Sequence, residues 1–194
     1  MVQSMSFFLK IGLTVFLVLG AAVSYADDAY RFMEVETETF DKEDFLFPDD
    51  LAGSRLNVVY VAMSEDQDNG QYQGQVLMEW HTALAEQGVF DEQVVAYQFA
   101  VIKAPFFIKG VIRNAMRDDF DGKFPLNRSG ILFVKDLEEF AETAGLALDD
   151  QATIVFLSPD GRILSVFDGE PTEAGVQEIA RAAAELVLAE PATD

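Results

Sequence analysis

The chain of 194 residues contains no cysteine and one histidine, and each shortage excludes a class of chemistry. Without cysteine there is no disulfide, thiol nucleophile, thiolate metal site or acylated lipoprotein cysteine. A single histidine excludes metal sites built from several imidazoles. Positive charge is scarce as well, with 13 Lys and Arg against 34 Asp and Glu. The net charge of −21 argues against general binding of nucleic acid, because phosphate repels such a surface.

Apolar residues are plentiful. Half of the residues are hydrophobic and 12% are aromatic, which is too apolar for a disordered chain. At about 100–200 residues per domain, the length fits one domain with a short addition.

The first 26 residues have the features of a secretory signal peptide. Lys10 precedes an uncharged run over residues 11–23, and Ser24-Tyr25-Ala26 places small residues before a cleavage site. The sequence therefore predicts an exported chain that begins at Asp27. An uncleaved anchor that also uses residues 7–9 is the alternative. Later apolar runs have the length of strands, so we expect no transmembrane span after cleavage.

The rest of the chain divides into an acidic N-terminal extension over residues 27–50, a folded domain over 51–189 and a tail over 190–194. In the extension we assign no regular element, but we expect the apolar segment 45–48 to dock on the domain. Within the domain, strand and helix patterns alternate. Strands are predicted over 56–62, 93–102, 131–134, 153–157 and 163–167, and helices over 75–87, 106–120, 137–144 and 173–188.

This order predicts an α/β fold in three layers. Strands that alternate with helices pair in parallel through right-handed crossovers. The turn Ser158-Pro159-Asp160-Gly161 joins the last two strands as an antiparallel hairpin, and a final helix capped by Thr172 covers it. We therefore expect an α/β/α sandwich around a mixed sheet.

Residues 124–188 resemble the C-terminal half of the redoxin proteins. The resemblance rests on Phe133-Val134-Lys135-Asp136, the short helix, and the segment from Thr153 through Ser158-Pro159-Asp160-Gly161 to Ile163. More narrowly, the chain looks like the YtfJ-like group of bacterial periplasmic proteins over most of residues 56–188. The resemblance implies a thioredoxin-like fold, a signal peptide, a location in the periplasm of a Gram-negative bacterium and a poorly defined function.

The redox elements that this resemblance implies are missing. In thioredoxins the cysteine pair lies where the first strand meets the first helix, and that junction here reads Met63-Ser64-Glu65-Asp66-Gln67-Asp68-Asn69-Gly70. The family's cis-proline precedes the fourth strand, where this chain reads Gln151-Ala152-Thr153. Without cysteine, disulfide exchange and thiol peroxidase chemistry are excluded for this chain alone. We therefore expect a non-redox binding or accessory protein with a periplasmic protein partner, and candidate binding residues Ser64, Gln67 and Asn69.

The acidic part of this junction supports an alternative. Glu65, Asp66 and Asp68 are oxygen ligands of the kind that Ca²⁺ prefers, which would suit a divalent-metal-dependent or otherwise cysteine-independent enzyme. The Gly offset and the missing closing Glu depart from an EF-hand, and a solvated loop explains the same residues. Apart from this Ca²⁺ hypothesis, no cofactor is expected.

A cationic stretch stands out in this acidic chain. Seven Lys and Arg but only three acids lie between Lys103 and Lys135. Lys109, Arg113 and Arg117 are spaced by four and form one stripe on a helix. The stripe could bind an anionic partner, rest on a lipid surface or balance charge within the chain.

Two further predictions concern packing. We expect His81 to be a boundary residue on the first helix, since no nucleophile stands at a recognisable spacing from it. We expect Phe106 and Phe107 to be core residues, whereas exposure would indicate an interface. The residues predicted to face inward on the second helix are Ile108, Val111, Ile112, Ala115 and Met116.

Overall fold

The computed structural model describes residues 30–149 and 151–189. The predicted signal peptide, its cleavage site and the tail over 190–194 lie outside the described residues. The strands are β1 (Val35–Glu38), β2 (Asp44–Phe47), β3 (Leu56–Met63), β4 (Val94–Lys103), β5 (Ser129–Val134), β6 (Thr153–Leu157) and β7 (Ile163–Asp168). The α-helices are α1 (Gln67–Glu86), α2 (Lys109–Phe120), α3 (Leu137–Thr143) and α4 (Glu173–Leu188).

The central sheet has the strand order β5-β4-β3-β6-β7. β3, β4 and β5 are parallel, and β6 runs antiparallel to both β3 and β7. All eight residues of β3 are buried, which explains why it reads as a continuous apolar run rather than an alternating one. Gly161, with φ of 80°, completes the predicted tight turn between β6 and β7. The prediction of a mixed sheet with a C-terminal hairpin is therefore confirmed.

Helices cover both faces of this sheet. On one face, Leu77 and Trp80 of α1 and Ile179 of α4 pack against Tyr60 and its neighbours on the strands. On the other face, Phe140 of α3 shares a core with the N-terminal hairpin. The three-layer prediction is confirmed, with the hairpin as an added part of one layer. Within residues 30–149 and 151–189, none of the helices combines the length and hydrophobicity needed to cross a bilayer.

The N-terminal hairpin, formed by β1 and β2, is part of this core. Phe47 is fully buried, and its ring centroid lies 5.0 Å from that of Phe32 and 5.2 Å from that of Phe99. The prediction that segment 45–48 docks on the domain is confirmed. The backbone N–H of Phe40 also donates to the Ser129 carbonyl at 2.8 Å, so the hairpin covers part of the outer edge of β5.

α1 begins at Gln67, eight residues before the predicted start. The polar segment with Gly70 and Gly74 reads as a loop because each glycine costs a helix about 1 kcal/mol relative to alanine. The side chain of Asp66 caps the helix, and Gln73 is buried against the sheet. These tertiary contacts outweigh the weak helix propensity of the segment.

α2 is rotated relative to the prediction. Ile112 and Met116 pack against the core, but Val111 is 71% exposed and Ala115 is also exposed. Phe107, in the 3-10 turn before the helix, is 82% exposed, so its assignment to the core is wrong. The side chain of Phe106 lies outside the described part of the chain. The rotation arises because the basic side of α2 has partners on the hairpin and β5, described below.

Candidate functional site

The candidate site lies at the carboxyl end of β3, where the chain turns into α1. The carboxyl ends of parallel strands meet at one edge of a sheet, and this edge is where open α/β folds commonly bind ligands. β3 is the middle strand, the carboxyl end of β4 lies beside it, and that of β5 lies beyond β4. The junction predicted from the sequence is therefore on the edge where binding is expected.

Three predicted residues at this junction form one hydrogen-bonded network. The Asn69 backbone N–H donates to Asp66 Oδ1 at 2.8 Å, the usual contact of a helix N-cap. The Ser64 hydroxyl oxygen accepts from the Asp66 N–H at 3.0 Å and from Asn69 Nδ2 at 3.1 Å. Ser64, Asp66 and Asn69 are thus brought together, and the network fixes the start of α1.

The remaining polar residues of the junction face solvent. Glu65, Gln67 and Asp68 are all exposed. The cap network fixes the backbone that carries these three side chains, two of which are carboxylates. We call Glu65, Gln67 and Asp68 the junction surface.

Gln73 supports the junction from the buried side of α1. Its side chain is fully buried, with Oε1 accepting from the Met63 N–H at 2.7 Å and Nε2 donating to the Met63 carbonyl at 3.1 Å. Nε2 also lies 3.4 Å from the carbonyl oxygen of Asp149, in the loop before β6. One amide therefore ties the end of β3 to α1 and to that loop.

Two more contacts tie α1 to the loop after β7. The Tyr72 hydroxyl donates to the Glu170 carboxylate, and this hydrogen bond raises the pKa of Tyr72. Trp80 Nε1 donates to the Gly169 carbonyl at 2.8 Å, and the Gly169 N–H donates to the Ala152 carbonyl at 3.0 Å. The segments around the junction are therefore linked to one another.

The position before β6 carries no proline, since Ala152 precedes Thr153 at the start of the strand. Thr153 is buried and hydrogen-bonds to the Asp168 side chain. The pKa of Asp168 is raised, chiefly by desolvation at the sheet end, and the negative charge of Asp149 adds to the shift. A polar and acidic neighbourhood thus surrounds the junction.

The acidic residues are arranged as a helix start rather than as a ligand cage. The carboxylate of Asp66 is engaged in the cap, while Glu65 and Asp68 point to solvent. Over the part of the chain that the structure describes, no group of three or more His, Asp and Glu side chains is placed to hold a metal ion. The Ca²⁺ hypothesis for Glu65, Asp66 and Asp68 stays a prediction that this geometry does not favour.

The cationic stripe is brought together, but it faces the chain itself. Arg113 forms an ion pair with Glu38 on β1, and Arg117 Nε donates to the Phe40 carbonyl at 2.9 Å. Lys109 Nζ lies 4.8 Å from the ring centroid of Phe133 on β5, a cation–π contact. The stripe thus joins α2 to the hairpin and β5. These contacts favour internal charge balance, and binding of a partner or lipid by the stripe stays a prediction.

His81 is a boundary residue, as predicted. Its ring centroid lies 5.7 Å from that of Tyr60, 5.0 Å from that of Phe90 and 4.6 Å from that of Phe124. Its Nδ1 and the Tyr60 hydroxyl are buried and have no hydrogen-bond partner among the described residues. Burial among these rings lowers the pKa of His81, because it disfavours the charged imidazolium.

Sequence reasoning missed Gln73 and the exposure of Phe107. Gln73 lies three and four residues before Val76 and Leu77, so it shares their helical face. That spacing would have revealed a buried polar residue had the helix been extended to Gln67. The exposure of Phe107 could have been inferred from the cationic stripe. Because the stripe packs against the chain, the opposite side of α2 and the turn before it face solvent.

Comparison with known proteins identifies structures of similar fold but no sequence family. No protein-family model matches the chain, and no curated protein matches it. Solved structures do match. Yeast Sco1 aligns with a TM-score of 0.58 at 12% identity over 86% of this chain and 100% of that chain. A SCO1/SenC family lipoprotein from Bacillus anthracis aligns with a TM-score of 0.52 at 11% identity over 81% and 95% of the two chains.

A third match is BsSco, described as a member of the Sco family of cytochrome c oxidase assembly proteins. It aligns with a TM-score of 0.53 at 8% identity over 84% of this chain and 96% of that chain. The chain has the thioredoxin-like fold. In this thioredoxin-like chain, the β3–α1 junction carries Ser64, Asp66 and Asn69 in a cap network and no thiol.

Proposed function

We propose that this chain is an exported, non-redox binding or accessory protein that uses the junction surface to bind a protein partner in the bacterial periplasm. The proposal includes a relationship to the YtfJ-like periplasmic proteins. It also includes cleavage before Asp27, so that the exported chain is free of its leader.

One observation carries the proposal. The β3–α1 junction is fully built, with a capped helix, a buried Gln73 that satisfies both backbone groups of Met63, and exposed side chains above. This buried amide fixes the backbone of Met63, so the exposed side chains of the junction start from a rigid support. The scaffold around the junction is thus retained while thiol chemistry is absent, which suits recognition rather than reaction.

The character of the junction surface indicates the partner's chemistry. Glu65 and Asp68 are acidic and exposed, and Gln67 lies between them with an amide that can donate and accept. Such a surface fits a partner segment that presents Lys or Arg and backbone polar groups. It does not suit an acidic partner.

The Sco proteins support the accessory part of the proposal, since their family is described as one of cytochrome c oxidase assembly proteins. One yeast Sco1 structure has copper bound. Copper favours thiolate and imidazole ligands. This chain has no cysteine, and its one imidazole, His81, packs among aromatic rings on α1. We therefore propose an accessory role without copper.

Site-specific photocrosslinking tests the proposal. A photoreactive residue replaces Gln67 at the junction surface, and in a matched control it replaces Gln93, an exposed glutamine at the opposite end of the sheet. Both strains express the exported chain at the same level. We expect a discrete crosslinked product from position 67 that position 93 does not give. Absence of a product at position 67, or the same product from both positions, would contradict the proposal.

A further inference from the structure

A groove between α1 and α4 combines an apolar floor with acidic walls. It has a volume of about 400 Å³. Its apolar residues are Ala83, Pro171 and Val176, and its acidic residues are Glu79, Glu86 and Glu173. The carboxylates are exposed, whereas the apolar residues are buried or half-buried, so the apolar surface lies deeper. We call these six residues the α1–α4 groove.

Close packing of α1 on α4 fixes the spacing of the two walls. Gly175, in the first turn of α4, lies against the Trp80 ring of α1, and a Cβ at this position would lie 3.0 Å from Cη2 of that ring. The same ring donates its N–H to the Gly169 carbonyl, just before α4. The groove is therefore formed before any ligand arrives, which favours binding because little has to be ordered.

The chain itself does not neutralise the carboxylates of the groove. α1 contains no Lys or Arg, and none of the described residues that line the groove is one. Lys123 lines an adjoining depression together with Glu79 and Glu86, but among the described residues no ion pair joins it to either carboxylate. Three carboxylates around one apolar floor are complementary to a ligand that carries both cationic and apolar groups.

The negative charge continues from the groove toward the junction surface. Asp68, Tyr72 and Glu79 follow one another at intervals of four and seven residues, so they share one side of α1. The Tyr72 hydroxyl donates to Glu170, the residue before Pro171; this hydrogen bond raises the pKa of Tyr72, and the charges of Glu170 and Glu79 add to the shift. Tyr72 is 47% exposed, and a tyrosine ring beside carboxylates is a favourable contact for lysine or arginine.

We propose that the α1–α4 groove binds an extended segment of the partner protein in which lysine or arginine alternates with aliphatic residues. Successive side chains of an extended segment point to opposite sides, so the aliphatic ones contact the floor, while the long stems of the cations reach the carboxylates at the edge. From Asp68 to Glu86, α1 rises about 27 Å, a distance that about eight extended residues cover. This inference rests on the proposed function and adds the chemistry and path of the bound segment.

NMR titration of the chain from Asp27 onward, which contains every described residue, tests this proposal. The probe is an eight-residue peptide of alternating lysine and leucine. We expect saturable changes in the backbone amide shifts of Ala83 and Val176. Glu34 and Glu142 are exposed acids elsewhere on the chain, and their amides should change little. The absence of saturable changes in the groove, or changes as large at Glu34 and Glu142, would overturn the proposal.

Control ligands separate the contribution of charge from that of apolar contact. A peptide with serine in place of every leucine keeps the charge and should bind several-fold more weakly. A peptide with glutamate in place of every lysine should not bind. Equal affinity of the lysine–serine peptide would show that the apolar floor contributes nothing and would overturn the proposal. Equal affinity of spermidine would mean that the groove selects a small amine rather than a protein segment, and would overturn it as well.

A matched pair of variants locates the charge that attracts the peptide. Glu79→Gln with Glu173→Gln removes two exposed carboxylates of the groove, and Glu34→Gln with Glu142→Gln removes two exposed carboxylates elsewhere. Both variants should melt like the wild type, as measured by circular dichroism. We expect the groove variant to bind the lysine–leucine peptide about fivefold more weakly and the control variant to bind it like the wild type. Equal affinities of the two variants would overturn the assignment to the groove.

The failure of this inference can be distinguished from the failure of the proposed function. A partner crosslinked at position 67, with no peptide bound in the groove, would overturn the inference and support the proposed function. Peptide bound in the groove, with no crosslinked product at position 67, would support the groove as a binding site and contradict the proposed use of the junction surface.

Discussion

Gln73 shows how a single buried side chain can complete a strand. β6 pairs with β3 only as far as Val61, so Met63 extends past its neighbour on that side. The Gln73 amide has the same donor and acceptor as a peptide group, and it satisfies both backbone groups of Met63. Without it, these buried polar groups would lack partners, which costs about 1–3 kcal/mol for each group.

We therefore expect Gln73→Met to lower the free energy of unfolding by about 2 kcal/mol, because it keeps the volume but leaves Met63 unpaired. Gln71→Met, at an exposed position on the same helix, is the control and should change stability by less than about 0.5 kcal/mol. Urea denaturation of both variants measures the difference. Equal stability of the two would show that the Gln73 amide contributes nothing.

His81 should give the fold a pH dependence near neutrality. Its pKa is lowered in the folded chain by burial, so the unfolded chain takes up the proton first as the pH falls. The free energy of unfolding should decline as the pH drops from about 7.5 through the unfolded pKa of about 6.5, and level off below the folded pKa. His81→Phe retains the aromatic packing and should have a flatter profile over this range.

Chemical denaturation at a series of pH values measures both profiles. Since the chain contains one histidine, the NMR titration of its Cε1 proton reports the folded pKa directly. A midpoint at or above about 6.5 would contradict the burial argument.

At the scale of elements, α2 packs its cations as well as the apolar Ile112 and Met116 against the rest of the chain. Its cations lie against the hairpin and β5, while Val111 and Ala115 face solvent. A helix normally buries its apolar stripe. Here Glu38 and the Phe40 carbonyl lie where they can pair with Arg113 and Arg117, so polar contacts set the rotation of the helix.

A double-mutant cycle tests the ion pair between Arg113 and Glu38. We expect Arg113→Met and Glu38→Gln to show a coupling free energy of about 0.5–1 kcal/mol, because the arginine is partly shielded from solvent. Arg181 and Glu185, which are 3.9 Å apart and largely exposed on α4, provide the control pair. Their coupling should be smaller, at about 0.3 kcal/mol. If the exposed pair couples as strongly as the α2 pair, the contact does not orient the helix.

The N-terminal hairpin is part of the core. Substitution of a buried and of an exposed phenylalanine tests this packing. Phe47 is fully buried, so Phe47→Ala should destabilise the fold by about 3–5 kcal/mol through the cavity it leaves. Phe107→Ala removes the same atoms from an exposed position and should cost less than about 0.5 kcal/mol. Thermal and urea unfolding of both variants measure the contrast. Similar losses would mean that the hairpin is not packed as described or that Phe107 is buried.

At the scale of the whole molecule, the sheet and the helix order could be predicted from the sequence. β3, β6 and α4 have strong local patterns: a buried apolar run, a β-branched run before a tight turn, and a threonine cap before a periodic helix. In each case local propensity and tertiary packing agree. The alternation of strands and helices then restricts the topology to a small number of folds.

The hairpin, the start of α1 and the rotation of α2 could not be predicted in this way. All three depend on partners distant in sequence: Phe47 on Phe99, Gln73 on Met63, and Arg113 on Glu38. Local patterns do not report such contacts, and the glycines of α1 argued against the helix. For the candidate site, the junction was located through a family resemblance, while the buried amide that supports it was not foreseen.

The proposed binding surface at the junction depends on the support that Gln73 gives to Met63. The most direct test is the crosslinking yield of the photoreactive probe at position 67 in the Gln73→Met background, compared with the Gln71→Met background. We predict a yield several-fold lower when Gln73 is replaced, with the yield in the Gln71→Met chain unchanged. Equal yields in the two backgrounds, at equal levels of folded protein, would contradict the proposed role of the junction surface.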